Sequence, residues 1–183
     1  MKKILAFGAS NSTTSINKTL ATFAANQLRD VTVTVADLND YASPLYSVDQ
    51  EKESGVDKKA MDFYALINAN DAIVISLAEY NGLHTSAFKN LWDWLSRIPM
   101  EKPMNIWGGK PMFLLSTSPS KRLESNVFKI SKELFPHFGA MIVADFHLPS
   151  FNHFFKGGNI VEAEYKASFG TQKSKFQEYL DRL

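Results

Sequence analysis

The sequence has no cysteine among its 183 residues. Disulfide bonds, catalysis by a thiol and metal sites built on cysteine are therefore excluded. His137, His147 and His153 also lack the spacing of a metal-binding motif, so we expect no metal site. The absence of disulfides agrees with a reducing compartment, and we expect the chain to be cytoplasmic.

Long apolar runs and an excess of one charge are missing too. Twenty basic residues face nineteen acidic ones, and neither sign forms a block or a tail. The apolar run 4–7 after Lys2 and Lys3 is too short for a signal-peptide core, and no run is long enough to cross a bilayer. We therefore expect no nucleic-acid or membrane partner, and a small molecule instead. The length suits a single domain over residues 1–183.

Short apolar runs alternate with longer segments of helical periodicity, a pattern typical of βαβ units. The strand candidates are residues 3–7, 31–36, 72–77, 112–116 and 140–144. The second candidate alternates strictly between Val and Thr, which indicates a strand that is exposed on one side or lies at a sheet edge. The sequence therefore predicts an α/β fold of flavodoxin-like type: a three-layer sandwich whose five-stranded parallel sheet has the order 2-1-3-4-5, with helices on both faces. Ligands of such sheets bind beside the carboxyl ends of strands 1 and 3.

The helix after the third strand has two apolar stripes. Phe88, Trp92 and Leu95 suit a core-facing stripe, while Trp94 and Ile98 lie on a second face of the same helix. A helix with two apolar faces indicates a partner subunit. We therefore predict a homodimer or a homotetramer.

The loop after the first strand, residues 8–17, combines Gly8 with many hydroxyl side chains at a predicted helix start. Backbone N–H groups and the helix dipole stabilise an anion there. A Walker loop is excluded because no lysine stands before Ser15, and a dinucleotide fingerprint is excluded because Ser10 and Thr13 replace its glycines. The loop thus predicts either a site for one terminal phosphate, as on a mononucleotide, or an ordinary serine-rich helix cap.

The next two loops carry a resemblance to a known family. Glu79-Tyr80-Asn81-Gly82 is followed by Lys89-Asn90 and Asp93-Trp94, as in the NADPH-dependent FMN reductases of flavodoxin-like fold. The family's first loop, Gly-Ser-x-Arg-x-x-Ser-x-Asn, matches residues 9–17 in part, and its Ser-x-Ser-Pro-Gly segment resembles residues 116–120. The chain therefore resembles this family over most of its length.

The resemblance implies an oxidoreductase that binds FMN, takes hydride from NADPH or NADH, and reduces a small-molecule acceptor such as a flavin, a quinone or an azo compound. No catalytic side chain is implied, because the flavin itself carries the chemistry. His84 is therefore interpreted as a loop or interface residue. The implied cofactor-binding residues are Ser10, Ser12, Thr14, Ser15, Ile16, Asn17, Ala78, Glu79, Tyr80, Asn81, Gly82, Ser118 and Pro119.

Three departures from the family pattern leave alternatives open. Ser12 replaces an arginine, Ala78 replaces a proline, and residues 120–122 replace a glycine-rich stretch. The missing arginine predicts weaker binding of phosphate, with Lys121 or Arg122 as a substitute source of positive charge. A flavodoxin-type electron carrier, or a family member that has lost its cofactor and acts as a binding protein, would also account for the sequence. The aromatic segment 151–158 is expected to be a mobile loop over a ligand or a second subunit.

Overall fold

The computed structural model describes residues 1–99, 104–123 and 125–183. Its strands are β1 (Lys2–Ala9), β2 (Val31–Ala36), β3 (Ala72–Leu77), β4 (Glu79–Tyr80), β5 (Leu83–His84), β6 (Pro111–Thr117), β7 (Met141–Leu148), β8 (Phe155–Lys156) and β9 (Asn159–Ile160). Its helices are α1 (Ile16–Asn26), α2 (Val48–Ser54), α3 (Lys58–Asn68), α4 (Ser86–Leu95), α5 (Asn126–His137), α6 (Phe151–Phe154) and α7 (Ala163–Leu180), with a 3₁₀ helix at Leu38–Tyr41.

The five long strands form one parallel sheet in the order β2-β1-β3-β6-β7. This order confirms the flavodoxin-like arrangement, and β2, the alternating strand, lies at an edge as predicted. Since the chain reverses its direction of winding between β1 and β3, the carboxyl ends of these strands border the crevice where such sheets bind ligands.

Two hydrophobic cores flank the sheet, because successive strand side chains point to opposite faces. In β1, Ile4 and Ala6 pack with α1 and α7, while Leu5 and Phe7 pack on the side of α3, α4 and α5. All four residues are fully buried. The sheet is thus covered on both faces, which explains the nearly continuous apolar sequences of its central strands.

The second apolar face of α4 is covered by the chain itself. Trp94 is 1% exposed, its indole nitrogen donates to the carbonyl of Pro44 (2.8 Å), and its ring packs edge-on against Tyr46. Asn90 holds the same segment by accepting from the N–H of Tyr46 (2.8 Å). The interpretation of Trp94 as a surface for a partner subunit is therefore wrong, and the predicted homodimer or homotetramer loses this support.

The fifth strand of the sheet is longer than the predicted segment 140–144. It continues to Leu148, so Asp145 lies inside the edge strand β7, where its side chain pairs with Lys132 at 3.2 Å. Helix α5 buries Val127, Phe128 and Phe135, while Ile130 is 38% exposed.

The aromatic segment 151–158 forms α6 and one strand of the β8–β9 hairpin. Phe155 packs against Phe151 and Phe23, and Phe154 packs against Tyr165. The segment covers the chain's own α1 and α7. Within the described ranges, no helix is both long enough and apolar enough to cross a membrane.

Candidate functional site

A polar crevice lies at the carboxyl ends of β1, β3 and β6, where three loops meet. Its narrower part has a volume of about 150 Å³. This part is lined by Ser10, Ser12, Thr14, Ser15, Ile16, Asn17, Ala78, Glu79, Tyr80, Thr117, Ser118 and Pro119. The wider part, of about 570 Å³, shares four of these residues and adds Asn81, Gly82, Ser120, Arg122, Ser125 and Asn126. The loop residues predicted from the sequence thus come together around one crevice.

The first loop is shaped by a close approach of β1 to α1. Gly8 lies inside β1, and a Cβ built on it would be 2.3 Å from the backbone nitrogen of Lys18. The loop then turns with the N–H of Ser12 donating to the hydroxyl of Ser10 (3.2 Å). Gly8 is therefore needed for the close packing of β1 against the first turn of α1.

The start of α1 presents backbone donors to the crevice. The Ser15 hydroxyl caps the helix by accepting from the N–H of Lys18 (3.1 Å), as predicted. The N–H groups of Ile16 and Asn17 lie in the first turn, where an α-helix offers them no intrahelical acceptor. Of the described residues in this turn, none is acidic. An anion at this end of the crevice would therefore meet N–H groups, hydroxyls and the positive end of the helix dipole.

The side chain of Asn17 is already bonded within the protein. Its Oδ1 accepts from the hydroxyl of Ser76 (2.7 Å) and the N–H of Thr117 (3.1 Å), and its Nδ2 donates to the carbonyl of Thr117 (3.2 Å). The side chain is 3% exposed. The Asn17 side chain therefore ties the first loop to β3 and β6, and its own hydrogen bonds are made within the protein.

The narrow part of the crevice is lined by no cationic side chain among the residues that the structure describes. Lys18, the basic residue nearest in sequence to this loop, donates to Asp37 at 2.5 Å. The hydrogen bond from Lys18 holds the pKa of Asp37 below its ordinary value. Position 12 carries a serine where the family that the sequence resembles has an arginine, so the polar side chains that line this part of the crevice are neutral except for Glu79.

The second loop is a β-hairpin formed by β4 and β5. Asn81 and Gly82 occupy its two-residue turn with φ angles of 53° and 82°, both positive as a type I′ turn requires. Asn-Gly between two short extended segments is a strong hairpin signal that the sequence interpretation did not use. The turn leaves Tyr80 49% exposed beside the crevice, while Ala78 is buried.

The carboxylate of Glu79 is directed at the start of α5. Its Oε2 accepts from the hydroxyl of Ser125 (2.7 Å) and the N–H of Val127 (3.1 Å), and its Oε1 pairs with Arg122 at 3.3 Å. Burial raises the pKa of Glu79, but these hydrogen bonds and the nearby guanidinium outweigh burial and lower the pKa below its ordinary value. Glu79 thus fixes the hairpin against α5.

Glu79→Gln is expected to lower the free energy of unfolding by about 1–2 kcal/mol at pH 7, because the charge-assisted bonds to the start of α5 weaken. The folded-state pKa is lowered, so the stabilisation is complete above the unfolded value near 4.5 and disappears as the pH falls through the folded value. Urea unfolding of the wild type and the variant between pH 3 and pH 7 measures how the free energy of unfolding depends on pH. A wild type and a variant whose stabilities fall in parallel below pH 4.5 would contradict the assignment.

His84 follows the hairpin turn and points away from the crevice. Its Nε2 lies 2.8 Å from the hydroxyl of Ser131, and its ring packs against Trp92 and Phe135. Burial lowers the pKa of His84 to about 4, so the ring is neutral at pH 7. His84 is therefore a packing residue between α4 and α5, whereas the sequence was interpreted as placing it in a loop or at an interface.

The third loop, residues 117–120, is fastened to the loop that follows β7. Thr117 Oγ1 donates to the carbonyl of Leu148 (2.7 Å), and the N–H groups of Phe151 and Ser150 donate to the carbonyls of Ser118 (2.9 Å) and Ser120 (2.7 Å). Thr117 lines the crevice, although it was not among the site residues predicted from the sequence. Its position at the carboxyl end of β6 could have identified it.

Among the described residues, no three His, Asp or Glu side chains are grouped to hold a metal ion.

The chain matches a known protein family and, over part of its length, a known enzyme. The model of the NADPH-dependent FMN reductase family matches residues 2–153. A quinone reductase of Escherichia coli strain K12 is 35% identical over 75 residues, which are 41% of this chain and 38% of that relative. The matched segment is therefore well under half of the relative's length.

Solved flavin-enzyme structures share the fold over nearly the whole chain. The flavoenzyme NAD(P)H:acceptor oxidoreductase FerB from Paracoccus denitrificans superposes with a TM-score of 0.76 at 17% identity, covering 100% of this chain and 98% of FerB. An FMN-dependent NADH-azoreductase from Bacillus anthracis, solved with FMN, superposes with a TM-score of 0.57 at 15% identity, covering 100% of this chain and 99% of the azoreductase. At these identities the likeness establishes the fold.

Proposed function

We propose that this chain, which belongs to the NADPH-dependent FMN reductase family and is an FMN-dependent oxidoreductase, binds FMN in the crevice formed by its three loops and reduces a small planar acceptor. The observation that carries the proposal is the convergence of residues 10–17, 78–82 and 117–119 at the carboxyl ends of β1, β3 and β6. FMN held by these loops would supply the chemistry of hydride transfer from a nicotinamide to the acceptor.

The narrow part of the crevice fits the phosphate of FMN. Ser10, Ser12, Thr14 and Ser15 offer hydroxyl groups, and Ile16 and Asn17 offer N–H groups at the positive end of α1. Because none of the described lining residues here is a cation, the phosphate is held by neutral donors. We expect FMN to dissociate measurably during purification and to be restored by added FMN.

The wide part of the crevice fits the isoalloxazine ring. Its volume of about 570 Å³ suits a three-ring system, and its walls include Asn81 and Gly82 of the hairpin turn and Ser118 of the third loop. Ala78, Glu79, Tyr80 and Pro119 complete the two loops on either side. These residues bind and orient the ring, and none of them is assigned a proton-transfer role.

The acceptor binds where the nicotinamide has left, so the reaction is expected to follow ping-pong kinetics. A site that orients planar rings mainly by stacking discriminates weakly among them. Quinones, azo compounds and free flavins are therefore the proposed acceptors, and the partial likeness to a quinone reductase favours testing quinones first.

The visible spectrum of the protein, recorded with added FMN and then with NADPH under anaerobic conditions, tests cofactor and donor together. We expect the bound flavin to show shifted absorption bands that bleach on addition of NADPH. A protein that binds FMN without bleaching by NADPH or NADH would be an electron carrier of flavodoxin type. A protein that takes up no FMN would be a binding protein that has kept only the fold.

A further inference from the structure

A groove along the outer side of α1, here called the α1 groove, adjoins the narrow part of the crevice. It has a volume of about 770 Å³. It is lined by Thr13, Thr14, Ser15, Lys18, Thr19, Thr22, Phe23, Asn26, Gln27, Phe155 and Gly158. Thr14 and Ser15 also line the narrow part of the crevice, where the phosphate of FMN would lie. A ligand that extends beyond this phosphate can therefore continue into the α1 groove.

The α1 groove follows the helix over most of its length. Its lining residues on α1 include a row in which each member is three or four positions from the next, which places them on one side of the helix: Ser15, Thr19, Thr22 and Asn26. With a helical rise of about 1.5 Å per residue, this row is roughly 16 Å long. An adenosine phosphate in an extended conformation fits within that length.

The middle of the α1 groove offers an aromatic surface. Phe23 and Phe155 meet edge-on with their ring centroids 5.2 Å apart, and Phe155 stacks on Phe151 at 4.8 Å. Phe23 and Phe155 are both half-buried, so part of each ring faces the groove while neighbouring rings hold it in place. Aromatic rings held in this way bind a purine by stacking and by apolar contact.

Two side-chain amides stand at the far end of the α1 groove. Asn26 and Gln27 are exposed, and their side chains make no hydrogen bond within the described part of the chain. A carboxamide can accept from the amino group of adenine and donate to a ring nitrogen at the same time. Thr22 lies between these amides and the phosphate loop, and its hydroxyl can bond a ribose there.

The charges along the two cavities favour a phosphate diester over a terminal phosphate. A terminal phosphate carries about 1.5–2 negative charges at pH 7, whereas each phosphate of a pyrophosphate diester carries one. The described lining of the narrow part includes no cation, and Glu79 there is acidic. The described lining of the α1 groove has no acidic residue and includes Lys18, whose ammonium bonds Asp37 and keeps two further N–H donors. A second phosphate would therefore find a cation at the entrance of the groove.

We propose that the crevice accepts flavin adenine dinucleotide (FAD) as well as FMN, and that the α1 groove binds the adenosine monophosphate half of FAD. Phe23 and Phe155 form the surface for adenine, and Lys18 lies beside the second phosphate. Asn26 and Gln27 bond the edge of the adenine. This inference rests on the proposed function, in which the flavin ring and the first phosphate occupy the crevice.

Thr22→Glu tests the proposal by calorimetric titration of the protein, freed of flavin, with FAD and with FMN. We expect the wild type to bind FAD at least as tightly as FMN. In the variant the Kd for FAD should rise on the order of tenfold, because a carboxylate then stands in the path of the second phosphate and the ribose. The Kd for FMN should stay nearly unchanged, since Thr22 lies roughly 10 Å along the helix axis from Ser15, where salt screens the new charge.

Thr171→Glu is the matched control, because it makes the same change at an exposed position of α7. Asn26→Ala gives an independent reading: it removes an adenine contact without adding a charge, so it should weaken FAD about threefold to tenfold and leave FMN unchanged. Exchange on the FMN-loaded protein completes the test. After incubation with an equal concentration of FAD and removal of free flavin, the retained flavin should be at least half FAD by chromatography.

Weaker binding of FAD than of FMN by the wild type would overturn the inference and leave the FMN function intact. So would a Thr22→Glu variant that binds FAD as Thr171→Glu does, or one that weakens FAD and FMN alike. A protein that takes up neither flavin would instead overturn the proposed function, and this inference with it.

Discussion

Gly8→Ala is expected to lower the free energy of unfolding by about 3 kcal/mol or more and to abolish FMN uptake. The added Cβ would lie 2.3 Å from the nitrogen and 2.7 Å from the Cα of Lys18, and both are backbone atoms of α1. A flexible side chain could move aside, but here the helix itself must shift away from the sheet. The displacement would open the loop that carries Ser10 and Ser15, so stability and binding should fall together.

Gly170→Ala is the control for this prediction. Gly170 lies in α7, and no atom of the described residues outside its own helix stands within 4 Å of the position that a Cβ would take there. Alanine at this site should stabilise the helix by about 0.5–1 kcal/mol, because it restricts the unfolded chain. Urea unfolding followed by circular dichroism, with FMN titration of each variant, measures both effects. Equal unfolding midpoints for Gly8→Ala and the wild type would show that α1 is not packed this closely on β1.

Asn17→Ala is expected to cost about 3 kcal/mol of stability and to raise the Kd for FMN by more than tenfold. The change leaves the N–H and carbonyl of Thr117 and the hydroxyl of Ser76 without their partner in a buried position. The first and third loops would then no longer be tied together at the crevice. Asn26→Ala removes the same kind of side chain from the exposed last turn of α1 and should be nearly neutral.

Riboflavin, which lacks the phosphate, distinguishes the two possible roles of Asn17. If the side chain ties the loops together, Asn17→Ala weakens riboflavin and FMN binding alike and destabilises the protein. If instead the side chain held the phosphate, as the family resemblance implied, FMN binding alone would weaken and the unfolding midpoint would stay unchanged. Fluorescence titration with both flavins gives the comparison.

The locations of the three loops could be predicted from the sequence because they follow from the strands. Apolar runs bounded by turn residues identify β1, β3 and β6, and the order of a doubly wound parallel sheet puts the ends of these strands together. The loop residues therefore line one crevice, as predicted. The assignment of these residues to FMN remains a proposal that the spectrum will test.

The direction of individual side chains could not be predicted in the same way. Glu79 appeared as a member of a flavin-facing loop, yet its carboxylate bonds the start of α5. Trp94 appeared to face a second subunit, yet it donates to Pro44 of its own chain. Each partner lies more than 40 residues away, and the periodicity of a helix or strand carries no information about contacts at that separation.

The sequence by itself determined the alternating α/β pattern, the order of the strands with the Val-Thr strand at an edge, a start of α1 capped near Thr14 or Ser15, and the lack of a basic residue at position 12. These follow from the spacing of residues that are neighbours along the chain. Only the tertiary structure decided that Gly8 is required by helix packing and that Asn17 joins α1 to β3 and β6. These depend on which distant segments the folded sheet brings together, since a buried polar group must find its partner wherever the fold places one.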